Sequence, residues 1–214
     1  MIKIDKGSEP NSWMLIRRTP GMTYDASDKT DLRASLLKEQ GFICGYCMRR
    51  VNAANSRIEH LKPQSLSLRQ GKPEETLDYS NMIVCCDGDI NGSNAEKQFH
   101  CDRHKKETPI HFTPFTQHPI DSISYSSKTG EIKSSDSIIN DDINKVLNLN
   151  LGRLKENRLA VLRGVIVMLG TKKDWKKSEI QSLLNNYISK DANGQKKAYC
   201  GIVIWFLSSR LRHL

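Results

Sequence analysis

The sequence predicts a mixed α+β fold: a small loop-rich core held by a metal, a helix ahead of it, and a mostly α-helical region behind. Three observations predict it. Five of the six cysteines fall between positions 44 and 101. The stretch around them, about 41–118, is rich in Cys, His, Asn and Gly and short of long periodic segments. Beyond it, Leu147, Leu151, Leu154, Leu162, Val165 and Leu169 recur at helical spacing.

Residues 1–40 read as a helical extension. A helix over 28–40 would be capped by Ser27 or Asp28, present Leu32, Leu36 and Leu37 as its apolar face, and stop at Gly41. In the central region, 42–43 and 57–60 read as short strands, and 79–86 leads into a loop over 87–94. Helical character returns near Cys101. The third region, 119–214, opens with a hairpin: 120–125 and 131–133 flank the turn Lys128-Thr129-Gly130. The leucine-rich helix follows. Ser178 and Gln181 have capping-box spacing for a helix through Ile188, and a last helix spans 197–212. Cys200 lies in an apolar run, 198–207, as a core thiol. No internal repeat is evident.

Charge adds a functional hint. The net charge is +9, and residues 119–214 carry sixteen Lys/Arg against nine Asp/Glu, so this region holds most of the excess. Such a block suits a polyanion such as nucleic acid, or a solvated helical face. Apolar runs such as 165–169 are far too short for a bilayer, and the opening MIKIDKGSEPNSW lacks a secretory pattern. A cytoplasmic protein without membrane association is expected. In that compartment clustered cysteines read as metal ligands rather than disulfides.

Cys44-Gly45-Tyr46-Cys47 has the spacing of a zinc knuckle, with Gly45 allowing a tight turn. Tetrahedral zinc needs two further ligands. Cys86 and Cys101 are the first choice, with Cys85 and His100 as fallbacks. Redox CxxC pairs open a helix in an α/β pattern, and no such pattern surrounds this one. Four thiolates leave zinc no open position, so this ion would fold the core and leave chemistry to other residues.

Those residues lie between and beyond the cysteines: Ile58-Glu59-His60-Leu61-Lys62-Pro63, then Tyr79-Ser80-Asn81, then Cys101-Asp102-Arg103-His104-Lys105. Over roughly 42–106 the chain resembles the HNH endonuclease family. That pattern is an acidic residue or His before a first His, a middle Asn, and a final His or Asn. Its zinc-framed branch has a CxxC ahead of the motif, a cysteine five residues after the Asn, and another beside the last motif residue. Cys86 is five residues past Asn81, and Cys101 directly precedes Asp102. The resemblance implies a ββα-metal core in which His60 is the general base and Asn81 orients the His60 loop. Glu59 would hold a catalytic divalent ion, Mg2+ or Mn2+, with His104 or Asp102 completing the metal site. His104 is the expectation, since imidazole is the usual ligand there. Lys62, Lys105 and Lys106 would contact nucleic acid. The Asp at 102 and the long link over 87–99 depart from the family pattern. His111 and His118 read as ordinary loop residues.

The fuller set, CGYC, RIEHLKP, DYSNMIVCCDG and HCDRHK, is similar to the PtuB-like HNH subunit of Septu-type anti-phage systems, including retron-associated ones. This implies an ABC/SMC-related ATPase partner (PtuA-like), and in the retron-linked form a reverse transcriptase with its DNA–RNA product. The competing expectations are a non-catalytic, zinc-stabilised nucleic-acid-binding module and a stand-alone restriction-type HNH nuclease.

Overall fold

The computed structural model describes residues 1–89 and 95–213. An N-terminal arm leads into helix α1 (Asn11–Arg18), then α2 (Thr30–Gln40). Strand β1 (Ser56–His60) is followed by α3 (Gln64–Arg69), two short 3-10 turns, and strand β2 (Met82–Cys86). Helix α4 (Asp102–Lys105) is a single turn, and α5 (Gln117–Asp121) leads into the hairpin β3 (Ile123–Tyr125) and β4 (Ile132–Ser134). Helix α6 (Ser137–Asp141) runs into a π-turn, Asp142–Val146, and three longer helices close the chain: α7 (Gly152–Gly170), α8 (Lys177–Ile188) and α9 (Cys200–Arg212). Among the described residues no helix is long and apolar enough to cross a membrane.

The sheet that matters is small. β1 and β2 pair antiparallel, with Ser56 opposite Cys86, Glu59 opposite Ile83 and His60 opposite Met82. A lone two-stranded ribbon is marginal in water, and this one is covered. All five residues of β2 are buried, and α2 packs against it. Gln40, at the end of α2, ties the two together. Its side-chain amide donates to the carbonyls of Ile43 and Val84 at 3.0 and 2.8 Å and accepts the Val84 N–H at 2.6 Å.

Several expected elements are displaced for local reasons. The first predicted helix begins at Thr30, because the Asp28 carboxylate captures the Thr30 N–H at 3.0 Å from two residues upstream. Gly41 ends it as expected, at φ +65°. The strand expected at 42–43 is reduced to one bridge, Ile43 with Arg50, since Phe42 takes φ +59°. The expected Ser178/Gln181 cap lies two residues late: Glu179 accepts the Lys176 N–H at 2.8 Å. Leu147 and Leu151 precede α7 rather than belonging to it. Part of the loop expected over 87–94 lies outside the described residues. Helix α1 was not legible in the sequence.

That helix joins the extension to the core. Trp13 is 1% exposed, and its indole N–H donates to the Leu77 carbonyl at 2.9 Å. Buried side chains from Met1 to Leu207 form one continuous cluster, so the three regions of the sequence share a core. Trp13→Ala should therefore cost about 3–5 kcal/mol, read as a clear drop in thermal midpoint. An unchanged midpoint would mean that α1 is an appendage.

Candidate metal centre and adjoining acidic site

Four thiols converge from three separate segments. Cys44 and Cys47 come from the knuckle, Cys86 from the end of β2, and Cys101 from the residue before α4; their ligand atoms all lie within 4.8 Å of one another, and all four residues are buried. The Sγ atoms of Cys44 and Cys101 are 3.8 Å apart, as are those of Cys47 and Cys86. A tetrahedron with Zn–S bonds of about 2.3 Å has edges of about 3.8 Å, so the spacing fits a four-cysteine structural zinc. Burial alone would oppose a thiolate here. At Cys44 the surrounding thiols of Cys101, Cys47, Cys85 and Cys86 outweigh it and hold the group well below its ordinary range.

The fallback ligands stay outside this group of four. Cys85 is buried one residue away on β2. His100 places Nδ1 3.1 Å from Cys101 Sγ and 3.8 Å from Cys86 Sγ, the position of an N–H donor to the thiolates. Gly45 serves the knuckle through space rather than φ. It is not among the positive-φ glycines, but a Cβ there would meet Ile83 Cδ1 at 2.8 Å, because the Gly45 N–H approaches the Val84 carbonyl at 2.9 Å. Cys101 itself takes φ +55°, ψ −141°, a strained conformation that costs of order 1–3 kcal/mol. Its N–H bonds to the Leu147 carbonyl at 2.8 Å, and its side chain belongs to the thiol cluster, which together hold it there.

Beside the thiols lies an acidic site. Glu59 is buried on β1, where Lys105 Nζ contacts Oε1 at 2.8 Å and the Tyr46 hydroxyl donates to the same oxygen at 3.1 Å. Burial, together with a hydrogen bond and repulsion from Asp102, pushes the Glu59 carboxyl well above its ordinary value, against the pull of Lys105. Two carboxyl groups from distant segments therefore meet.

His60, next along the strand, uses its ring differently. Nε2 lies 2.9 Å from the Thr76 carbonyl, which fixes the proton on that nitrogen and leaves Nδ1 as the acceptor. The Tyr24 ring packs edge-on against it at 4.6 Å between centroids. Burial holds the imidazole below its ordinary value, although the Thr76 carbonyl favours the proton, so the ring is neutral near pH 7. Asn81 clamps the chain beyond it. Its Oδ1 accepts the Lys62 N–H at 2.8 Å, its Nδ2 donates to the Lys62 carbonyl at 3.0 Å, and its backbone carbonyl takes the Leu61 N–H at 2.9 Å. The side-chain amide thus extends the β1–β2 pairing past the end of the strand.

Asp102 and His104, the two candidates at the end of the motif, are placed differently. His104 does not join Glu59: its Nδ1–H donates to the Val146 carbonyl at 2.8 Å. Positions two apart on a helix point about 200° apart, while those three apart share a face. Asp102 and Lys105 therefore both reach Glu59, and His104 faces away. Lys105 is also not a surface contact for phosphate in this state, being 1% exposed and bonded to Glu59 and to the His60 carbonyl at 3.2 Å. Lys62 pairs with Glu75 and with Gln70, while Lys106 is exposed and pairs with Glu96. Tyr46, Thr76, Tyr24 and Gln40 were not singled out in the sequence. Only Tyr46 left a trace there, as the large residue inside the knuckle.

No family model matches the chain, and no curated protein does.

Two substitutions separate the neighbouring cysteines of β2. Cys86→Ser should strip zinc from the purified chain and lower its thermal midpoint sharply, since structural zinc sites contribute on the order of 10 kcal/mol. Cys85→Ser should keep one zinc per chain by elemental analysis. The reverse pattern would overturn the assignment.

Proposed function

We propose that this chain is a metal-dependent endonuclease of the HNH type, hydrolysing phosphodiester bonds in nucleic acid. The observation that carries the reading is a buried Glu59, held by Tyr46 and Lys105 and with its carboxyl raised by burial and by Asp102 from a distant segment, directly before a His60 whose Nε2 is tied to the Thr76 carbonyl. Hard carboxylate oxygens suit a hard cation. Glu59 and Asp102 would hold a divalent ion, Mg2+ or Mn2+, whose chemistry is to polarise the phosphate and relieve charge on the leaving oxygen.

The remaining work falls to the chain's own groups. Nδ1 of His60 accepts the proton of the attacking water, and the Thr76 carbonyl fixes the tautomer that makes this possible. Asn81 holds the backbone just beyond the ring through Lys62 and so sets where the ring sits. Tyr46 orients Glu59 by its hydroxyl. The zinc site anchors Asp102 through the preceding residue and chelates no substrate.

On the same reading, supported by the sequence motifs and the basic C-terminal region, the chain is the nuclease effector of an anti-phage system of the Septu or retron type. An ABC/SMC-related ATPase then restrains or directs it.

His60→Ala should lower cleavage by about 100-fold or more while leaving nucleic-acid binding intact by gel shift. If cleavage is unaffected, or absent from the wild-type chain with and without its partner, the enzyme reading fails in favour of a binding module. Asp102→Asn should likewise abolish cleavage in Mg2+ or Mn2+, and His104→Ala should leave it within a few fold. The opposite ranking would return the metal site to His104.

A further inference from the structure

Lys105 is the least expected group in the acidic site. Its ammonium is buried, contacts Glu59 Oε1 at 2.8 Å, and donates to the His60 carbonyl at 3.2 Å. A lysine ammonium has three donors and almost never goes fully buried without a partner. Here the Glu59 carboxyl group supplies one. Its helix is held at both ends by strained residues, Cys101 at φ +55° and Lys106 at φ +51°, so Lys105 is placed by the same frame that places Asp102.

Resting on the proposed function, we infer that Lys105 is a built-in competitor for the divalent cation at Glu59, released from that carboxylate when cation and phosphodiester arrive together. The argument is one of charge. Without a cation, an ionised Glu59 would be an uncompensated buried charge, and the ammonium offsets it. With a divalent cation present as well, the ammonium becomes a like charge a few ångströms away, which is repulsive even at moderate effective dielectric. Adding the single negative charge of a scissile phosphodiester restores neutrality. With ammonium, cation, both carboxylates ionised and phosphate all present, the charges of the site sum to zero. Lys105 therefore weakens cation binding in the free protein and makes it depend on substrate, acting as a positioning residue.

The test is cation affinity of the zinc-loaded full chain, read as free Mn2+ by electron paramagnetic resonance. Lys105→Met should tighten Mn2+ binding by about tenfold or more, and adding Glu59→Gln to that variant should remove the gain. Binding in Lys105→Met equal to or weaker than wild type, with zinc content and thermal midpoint unchanged, overturns the inference. If Glu59→Gln still weakens Mn2+ binding in the otherwise wild-type chain, the proposed metal site survives that result. Failure of both wild type and Lys105→Met to bind Mn2+ sinks the metal site and the inference together.

Should Lys105→Met not fold, the wild-type chain gives the answer by amine-selective labelling and peptide mass spectrometry. Lys105 should be protected without cation and become reactive when Mn2+ is added with a non-cleavable phosphorothioate oligonucleotide. Protection that does not change overturns the inference.

Discussion

The fold of the central region depends on the convergence of four buried thiols. They draw together a knuckle, the end of a strand and the start of a one-turn helix, segments too short to find one another by apolar burial alone. The ribbon of β1 and β2 has five residues a side, and α4 has four; neither would persist in isolation. What the thiol cluster adds is position as much as stability. Cys101 is followed at once by Asp102, so the carboxyl group that meets Glu59 is one peptide unit from a thiol of the cluster.

The acidic site shows a second economy. Glu59 and His60 are consecutive on one strand, so their side chains leave it on opposite sides, and each is committed to different partners. Glu59 is gripped by Tyr46 and Lys105, His60 by the Thr76 carbonyl and the Tyr24 ring. Burial raises the proton affinity of the carboxyl group and lowers that of the imidazole. One environment thus pushes two neighbouring titratable groups toward neutrality from opposite directions. Lys105 lies between them, bonded to the side chain of one and the backbone of the other.

Much of this was legible in the sequence, and the reasons differ by residue. The cysteine cluster was readable because CxxC spacing with further clustered thiols marks metal ligands, and the preference for Cys86 and Cys101 over Cys85 and His100 agreed with the landmarks of the family the chain resembles. The Asn81 clamp followed from the motif alone. The choice between Asp102 and His104 was not readable, because it turns on helix phase: a four-residue helix carries no apolar stripe from which a phase can be taken. The fate of Lys105 was hidden for the same reason. Carbonyl partners such as Thr76 leave no sequence signature, since every residue has a carbonyl. Helix α1 was missed because Trp13 is its sole fully buried residue, too little for a periodic pattern. The charge block over 119–214 also overstated the free positive surface, since Arg158 is buried and spends its guanidinium on the Gly130 and Leu149 carbonyls.

The span from Asn81 to Cys86 behaves as a ruler. One end is pinned by an amide that reads the backbone of Lys62, the other by a sulfur in the thiol cluster, and the strand between is in register with β1 throughout. Because side chains alternate every residue along a strand, inserting or deleting one amino acid here would turn either the amide or the sulfur to the wrong side. Descendants of this chain are thus free to exchange letters within the span far more readily than to alter its count.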